Sequence, residues 1–139
     1  YYEQDLESRT FGVVVDTSGS MSAKQIGMAL GSIASYAAAK DVPFVRIIFC
    51  DAKATDAGYL APEDIAGRVK VTGRGGTILQ PGVDCLEQAN DFPKDGPILI
   101  ITDGEIENDL KVRREHAFLL PRGNRLPFRA RGEVFYFRE

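Results

Sequence analysis

Apolar positions fall into two alternating rhythms along this chain. Five short runs are rich in β-branched and aromatic residues: Phe11–Val15, Phe44–Cys50, Pro97–Thr102, Ala117–Leu120 and Val134–Phe137. Phe44–Cys50 and Pro97–Thr102 are almost continuously apolar, the pattern of parallel strands covered on both faces. Between the first two runs Ile26, Ala29, Leu30, Ile33, Ala34 and Ala37 recur at three- and four-residue spacing, which makes one apolar stripe on a helix. Ser22 followed by Gln25 reads as its capping box, and the small residues Gly27, Gly31 and Ala37 let it lie close to a sheet. A short edge strand is expected over 54–60 and a helical turn over Pro62–Val69. Pro81 suits the first turn of another helix carrying Val83, Leu86 and Ala89 on one side. A fourth helix is expected over Ile106–Glu115, starting at Asn108 or Asp109, and Pro121–Gly132 reads as an exposed loop.

Strands alternating with helices predict an α/β fold. The expected form is a single Rossmann-like three-layer sandwich, its sheet mostly parallel with one antiparallel edge strand and helices on both faces. With 139 residues, 44% of them hydrophobic, one domain with a real core is expected over 1–139. The sequence opens at Tyr1 rather than Met and reads as a piece excised from a longer protein. No apolar run approaches the roughly 18–20 residues of a membrane span.

Charge changes the picture little. The net charge is −3, with −8 over residues 1–110 (nine Lys/Arg, seventeen Asp/Glu) and +5 over 111–139 (eight and three). The basic segment reads as a solvated edge; without interleaved aromatics, nucleic-acid binding is the minor reading. Cys50 and Cys85 sit at apolar positions and read as small buried hydrophobes, with a disulfide as the lesser alternative. Reduced thiols point to a cytoplasmic setting. His116 reads as a surface or packing residue.

Candidate chemistry sits in three separated segments: Asp16-Thr17-Ser18-Gly19-Ser20, Gly75-Gly76-Thr77 and Thr102-Asp103-Gly104. The first and third follow strand-like runs, and α/β sheets bind ligands beyond the carboxyl ends of their strands. Asp16, Ser18, Ser20, Thr77 and Asp103 make a hard-oxygen donor set suited to Mg²⁺ or Mn²⁺, without the His and Cys that zinc prefers. Hydroxyl ligands leave the ion poorly neutralised, so an open position would attract a carboxylate from a partner. Taken singly, each segment has a plainer reading as a turn or helix cap.

These residues resemble the metal-ion-dependent adhesion site of von Willebrand factor A (VWA) domains. Within that superfamily the chain looks most like the VWA-like domain attached to predicted bacterial metallopeptidases, through Ile47-Ile48-Phe49-Cys50-Asp51-Ala52, Gly73-Arg74-Gly75-Gly76-Thr77, Leu126-Pro127-Phe128 and Gly132-Glu133-Val134. The resemblance implies Ser18 and Ser20 as direct ligands and Thr77 as a direct or water-mediated one. Asp16 and Asp103 would act mainly from behind them. It implies cation-dependent binding of a protein partner that offers a carboxylate, not catalysis, within assemblies that in some members include a peptidase or an AAA-type ATPase.

Two departures stand out: Ile78 follows Thr77 where that subfamily usually has Asp, and Glu105 lies two residues past Asp103. The helix whose shift transmits ligand binding in adhesion-type members does not follow the last strand here, so that switch is not expected. The rival reading is a metal-dependent hydrolase or phosphoryl-transfer domain using the same ion. Phosphatases with an aspartate after the first strand usually carry a second one two residues on, where this chain has Ser18. No His or Lys is placed as a base, and no HExxH motif is present. A dinucleotide site would need a G-x-G-x-x-G pattern that Asp16–Ser20 lacks.

Overall fold

A computed structural model describes residues 10–17, 22–50, 53–65 and 78–137. Six strands form one sheet: β1 (Gly12–Asp16), β2 (Val45–Cys50), β3 (Ala54–Leu60), β4 (Ile98–Ile101), β5 (His116–Pro121) and β6 (Glu133–Phe137). Their order is β3-β2-β1-β4-β5-β6. Every neighbouring pair is parallel except β2–β3, which is antiparallel and carries a register shift at Ile47/Ile48. The α/β expectation, with one antiparallel edge strand, therefore holds.

Side chains alternate across β1 and β2, so each strand feeds two cores. Val13, Val15, Ile47 and Phe49 face helix α1 (Ala23–Ala39), whose stripe Ile26, Ala29, Leu30, Ile33 and Ala37 is buried against them. Val14, Ile48 and Cys50 face the other way, toward Val83 and Leu86 of helix α3 (Gln80–Gln88). The short helix α2 (Pro62–Ile65) packs Ile65 into the α1 core. The remainder of the turn expected to Val69 lies outside the described residues. Burial at zero exposure of residues such as Ile26, Leu30 and Ile47 contributes about 1.5–3 kcal/mol each.

The start of α1 is as expected. Ser22 Oγ accepts from the Gln25 amide, and Gln25 Oε1 accepts from the Ser22 amide, both at 3.1 Å. Pro81 does open α3. Gly82 lets that helix sit on the sheet, since a β-carbon there would lie 2.8 Å from Val14 Cγ1.

The helix expected over Ile106–Glu115 is absent, and the segment is irregular chain lying against α3. Its backbone is claimed by α3 side chains. Gln80 brackets Lys111, accepting from its amide (2.8 Å) and donating to its carbonyl (2.9 Å), and Glu87 accepts from the Arg113 amide (2.8 Å). The apolar residues Ile106, Leu110 and Val112 all fall on even positions and pack into the α3 core. That is a period of two, the rhythm of extended chain. Cys50 and Cys85 are not joined by a disulfide, and burial raises the Cys85 pKa. His116 packs edge-on against Phe118. Among the described residues no helix is long and apolar enough to cross a membrane.

Candidate functional site

Strands β1 and β4 are neighbours, paired in register from Gly12↔Ile98 to Val15↔Ile101. Each carries an acid at or beyond its carboxyl end. Asp16 closes β1 and is fully buried; Asp103 lies two residues past β4 and is 5% exposed. Both therefore sit at the same end of the sheet, where parallel strands place ligand crevices.

Thr102 joins them. Its hydroxyl donates to Asp16 Oδ2 at 2.8 Å and accepts from the Gly104 amide at 3.1 Å. One side chain thus uses both of its hydrogen-bonding capacities, tying the β1 acid to the turn that carries the β4 acid. Asp103 is fixed in turn: its Oδ1 accepts from the Glu105 amide at 3.0 Å, and its carbonyl accepts from Asn124 Nδ2 at 2.9 Å. Gly104 has φ +93°, and a β-carbon there would lie 1.8 Å from the Arg125 carbonyl oxygen. Only glycine fits both the left-handed backbone and that approach. The loop after β5 is thereby pressed against the Asp103 turn.

Two further chain segments arrive at this rim. The Thr17 amide donates to the Cys50 carbonyl at 3.0 Å, and Cys50 is the register partner of Asp16 on β2. The Cys50 thiol donates to the Ile78 carbonyl at 3.3 Å. Ile78, the next residue after Thr77, is therefore held beside the carboxyl end of β2. From there α3 begins with an acidic cap: the Glu107 carboxylate accepts from the amides of Leu79 (2.9 Å) and Gln80 (3.0 Å). An anion at that point offsets the positive helix terminus.

Of the five residues expected to ligate a cation, Asp16 and Asp103 are brought to one rim. Ser18, Ser20 and Thr77 lie outside the described residues. Among the described residues no group of three or more His, Cys, Asp or Glu comes together; the donors on this rim are two carboxylates with hydroxyl and amide groups around them. Those donors are hard oxygens, the kind that Mg²⁺ and Mn²⁺ take. Thr102, Asn124 and Glu107 had no assigned role in the sequence reading. Thr102 could have been found from register alone, because it follows the residue paired with Val15 and so sits beside Asp16.

A family model described as VWA-like domain (DUF2201) matches residues 11–114, about three quarters of the chain. The chain is a VWA-like domain. The matched span runs from just before β1 through the Asp103 turn and the segment crossing α3, so it takes in both acids. Membership places the chain among protein-interaction modules in general. No curated protein matches the sequence.

The VWA-like domain has a second polar cluster at the opposite end of the sheet. Arg46 opens β2 beside Val45 and is 8% exposed. Its Nε donates to Asp56 Oδ1 at 2.9 Å and its Nη2 to Asp56 Oδ2, a fork-to-fork pair. Its Nη1 lies 2.7 Å from Asp91 Oδ1 but off the direction of a hydrogen bond, so that contact is one of charge. The guanidinium also stacks 5.0 Å from the Tyr59 ring centre. The hydrogen bonds from Arg46 hold the Asp56 carboxyl below the usual carboxylate range, against its partial burial, with help from the Gly58 amide. Asp56 in turn raises the Arg46 pKa further above its ordinary value.

Proposed function

We propose that this VWA-like domain binds protein partners through a divalent cation. Mg²⁺ or Mn²⁺ would be held by Ser18, Ser20 and Thr77 with Asp16 and Asp103. The observation that carries the reading is the Asp16–Thr102–Gly104 hydrogen-bonded link, which keeps two buried acids at the ends of adjacent parallel strands. Two carboxylates held at one rim offer hard oxygen donors, the chemistry a divalent cation such as Mg²⁺ takes.

When bound, the ion supplies Lewis acidity at a position open to a carboxylate from the partner. The protein's own contribution is orientation. Thr102 fixes one Asp16 oxygen, the Glu105 amide fixes one Asp103 oxygen, and the Gly104–Arg125 contact braces the turn behind them. The module is non-catalytic in this reading, and any peptidase chemistry lies outside the chain. It acts in a cytoplasmic assembly, with a peptidase or an AAA-type ATPase as the class of companion.

Titration with Mn²⁺, followed by its electron paramagnetic signal and by thermal melting, tests the proposal. Saturable binding of one ion that raises the melting temperature is expected, and Asp103→Asn should abolish both. Unchanged melting and a free-ion signal at excess Mn²⁺ would remove the basis for a cation-dependent module. Turnover of a phosphate ester that stops on adding chelator would instead favour the hydrolytic rival.

A further inference from the structure

The two edges of the sheet are finished differently. At one edge β3 pairs with β2 through a register shift at Ile47/Ile48, places Gly58 at φ +80°, and carries Asp56 in its ion pair with Arg46. A bulge, a kinked glycine and a charge are the devices that keep a strand edge from pairing with another chain. At the other edge β6 (Glu-Val-Phe-Tyr-Phe) pairs with β5 in an unbroken five-residue register from Ala117↔Glu133 to Pro121↔Phe137. It has no proline and no bulge, and its one charge, Glu133, stands at its first position. Phe135 is 49% and Tyr136 54% exposed, and they lie on opposite faces.

The direction of β6's free backbone groups follows from one bond. The Arg122 amide donates to the Phe137 carbonyl at 2.9 Å, so residue 137 turns its backbone toward β5. With a period of two, residues 135 and 133 do the same. The amides and carbonyls of Val134 and Tyr136 therefore point outward, and among the described residues no strand pairs with them.

We infer that this edge pairs with the same edge of a second copy of the chain, antiparallel about a two-fold axis at Phe135. In that register Val134 and Tyr136 of each copy exchange both of their backbone hydrogen bonds with Tyr136 and Val134 of the other. Two hydrogen-bonded pairs result, flanking a non-hydrogen-bonded Phe135–Phe135 pair. Aromatic–aromatic and aromatic–β-branched pairs are the favourable cross-strand combinations, and this register uses both at once. The strand is complementary to itself without a change of sequence, as a two-fold interface requires.

The area sets the strength. Four half-exposed rings at about 150–250 Å² each give roughly 400 Å² of apolar surface. The backbone strip adds to this but leaves the total below the roughly 1,200 Å² of a standard stable interface. The pairing is a weak, reversible dimerisation that joins two six-stranded sheets into one of twelve.

Sedimentation over a concentration series tests it: the average mass should climb from the 15.2 kDa monomer toward twice that value. Val134→Pro deletes an outward amide while sparing every bond to β5, and should leave a folded protein that stays monomeric throughout. In a Cys85→Ser background, Phe135→Cys places two cysteines across the axis at about 4.5 Å between α-carbons, within disulfide reach. It should cross-link on oxidation at least tenfold faster than Tyr136→Cys, which faces Val134 instead of itself. A protein monomeric at every concentration, a dimer that survives Val134→Pro with its fold intact, or equal cross-linking at the two positions would each overturn the inference.

Discussion

At the amino-terminal end of the sheet a buried cation, Arg46, is met by acids at the rim, with Asp56 33% and Asp91 68% exposed. At the carboxyl-terminal end the buried groups are the acids, Asp16 and Asp103, and the donors that orient them include the Thr102 hydroxyl and the Glu105 amide. The first arrangement neutralises its buried charge with the chain's own carboxylates and ties edge strand β3 and the Asp91 loop to β2. The second links its two acids through the Thr102 hydroxyl and the Gly104 turn. The same residue type therefore serves stability at one end and, in the proposed function, ion capture at the other.

The largest expected effect breaks the first arrangement. Asp56→Ala removes both fork bonds and leaves the buried Arg46 guanidinium with its Asp91 charge contact and the Tyr59 ring. Breaking a buried pair from one side costs about 3–5 kcal/mol, and the exposure of Asp56 puts this case near about 3. Arg46→Met removes the buried charge itself and should cost less, about 1 kcal/mol, because the two acids can hydrate. Urea unfolding with an unchanged slope reads the difference. If Arg46→Met proves the more damaging of the two, the cluster is held by packing and not by charge.

Next in size is the opposite end. At a hundredfold excess over its dissociation constant, a bound ion stabilises by about 2.7 kcal/mol, and Asp16→Asn should erase that gain. Without metal the same variant keeps an oxygen that accepts from Thr102, so it should differ from the unaltered chain by less than it does with Mn²⁺. That difference between the two conditions separates an ion site from a structural acid. A loss of stability that is equal with and without Mn²⁺ would make Asp16 merely structural.

A smaller effect tests the link between the strands. Thr102→Val is nearly isosteric but deletes the buried hydroxyl bonds to Asp16 Oδ2 and from the Gly104 amide, at a cost of about 1–3 kcal/mol. Thr102→Ser should restore most of the stability and the Mn²⁺ response together. Full stability in Thr102→Val would mean that the hydroxyl orients nothing.

How much of this was legible beforehand differs by region for physical reasons. The α1 stripe and the capping box at Ser22 and Gln25 are local patterns, and local chemistry decides them. Strand runs such as Phe44–Cys50 were readable because burial on both faces demands continuous apolar character. The segment over Ile106–Glu115 was misread because polar residues spaced along it suit a helix surface, while the deciding partners, Gln80 and Glu87, lie more than twenty residues away in sequence. Its even-numbered apolar residues were the available signal. At the site, the strand-end positions of Asp16 and Asp103 followed from the runs before them. Their adjacency required strand order, which the sequence supplied only as a condition. Glu107 as the cap of α3 and Asn124 as the brace on Asp103 are contacts across the fold that no local spacing encodes.

The smallest effect concerns pH and returns to the amino-terminal cluster. The Asp56 carboxyl is held below the usual carboxylate range chiefly by its hydrogen bonds to Arg46, with burial opposing and the Gly58 amide assisting. A folded-state pKa below the unfolded one means that the unfolded chain takes up its proton first as the solution is acidified. The contribution is therefore fully present above the ordinary carboxylate pKa and drains away as pH falls through the lowered value. Arg46 adds nothing on the alkaline side, since its guanidinium stays charged throughout. With Asp56 a third exposed, solvent screening keeps the change modest. Asp56→Asn should flatten this acid limb of the stability curve relative to the unaltered chain while leaving the neutral-pH response to Mn²⁺ intact. If the two proteins lose stability in parallel on acidification, the pH dependence originates in other carboxylates, and the Arg46 fork is electrostatically idle.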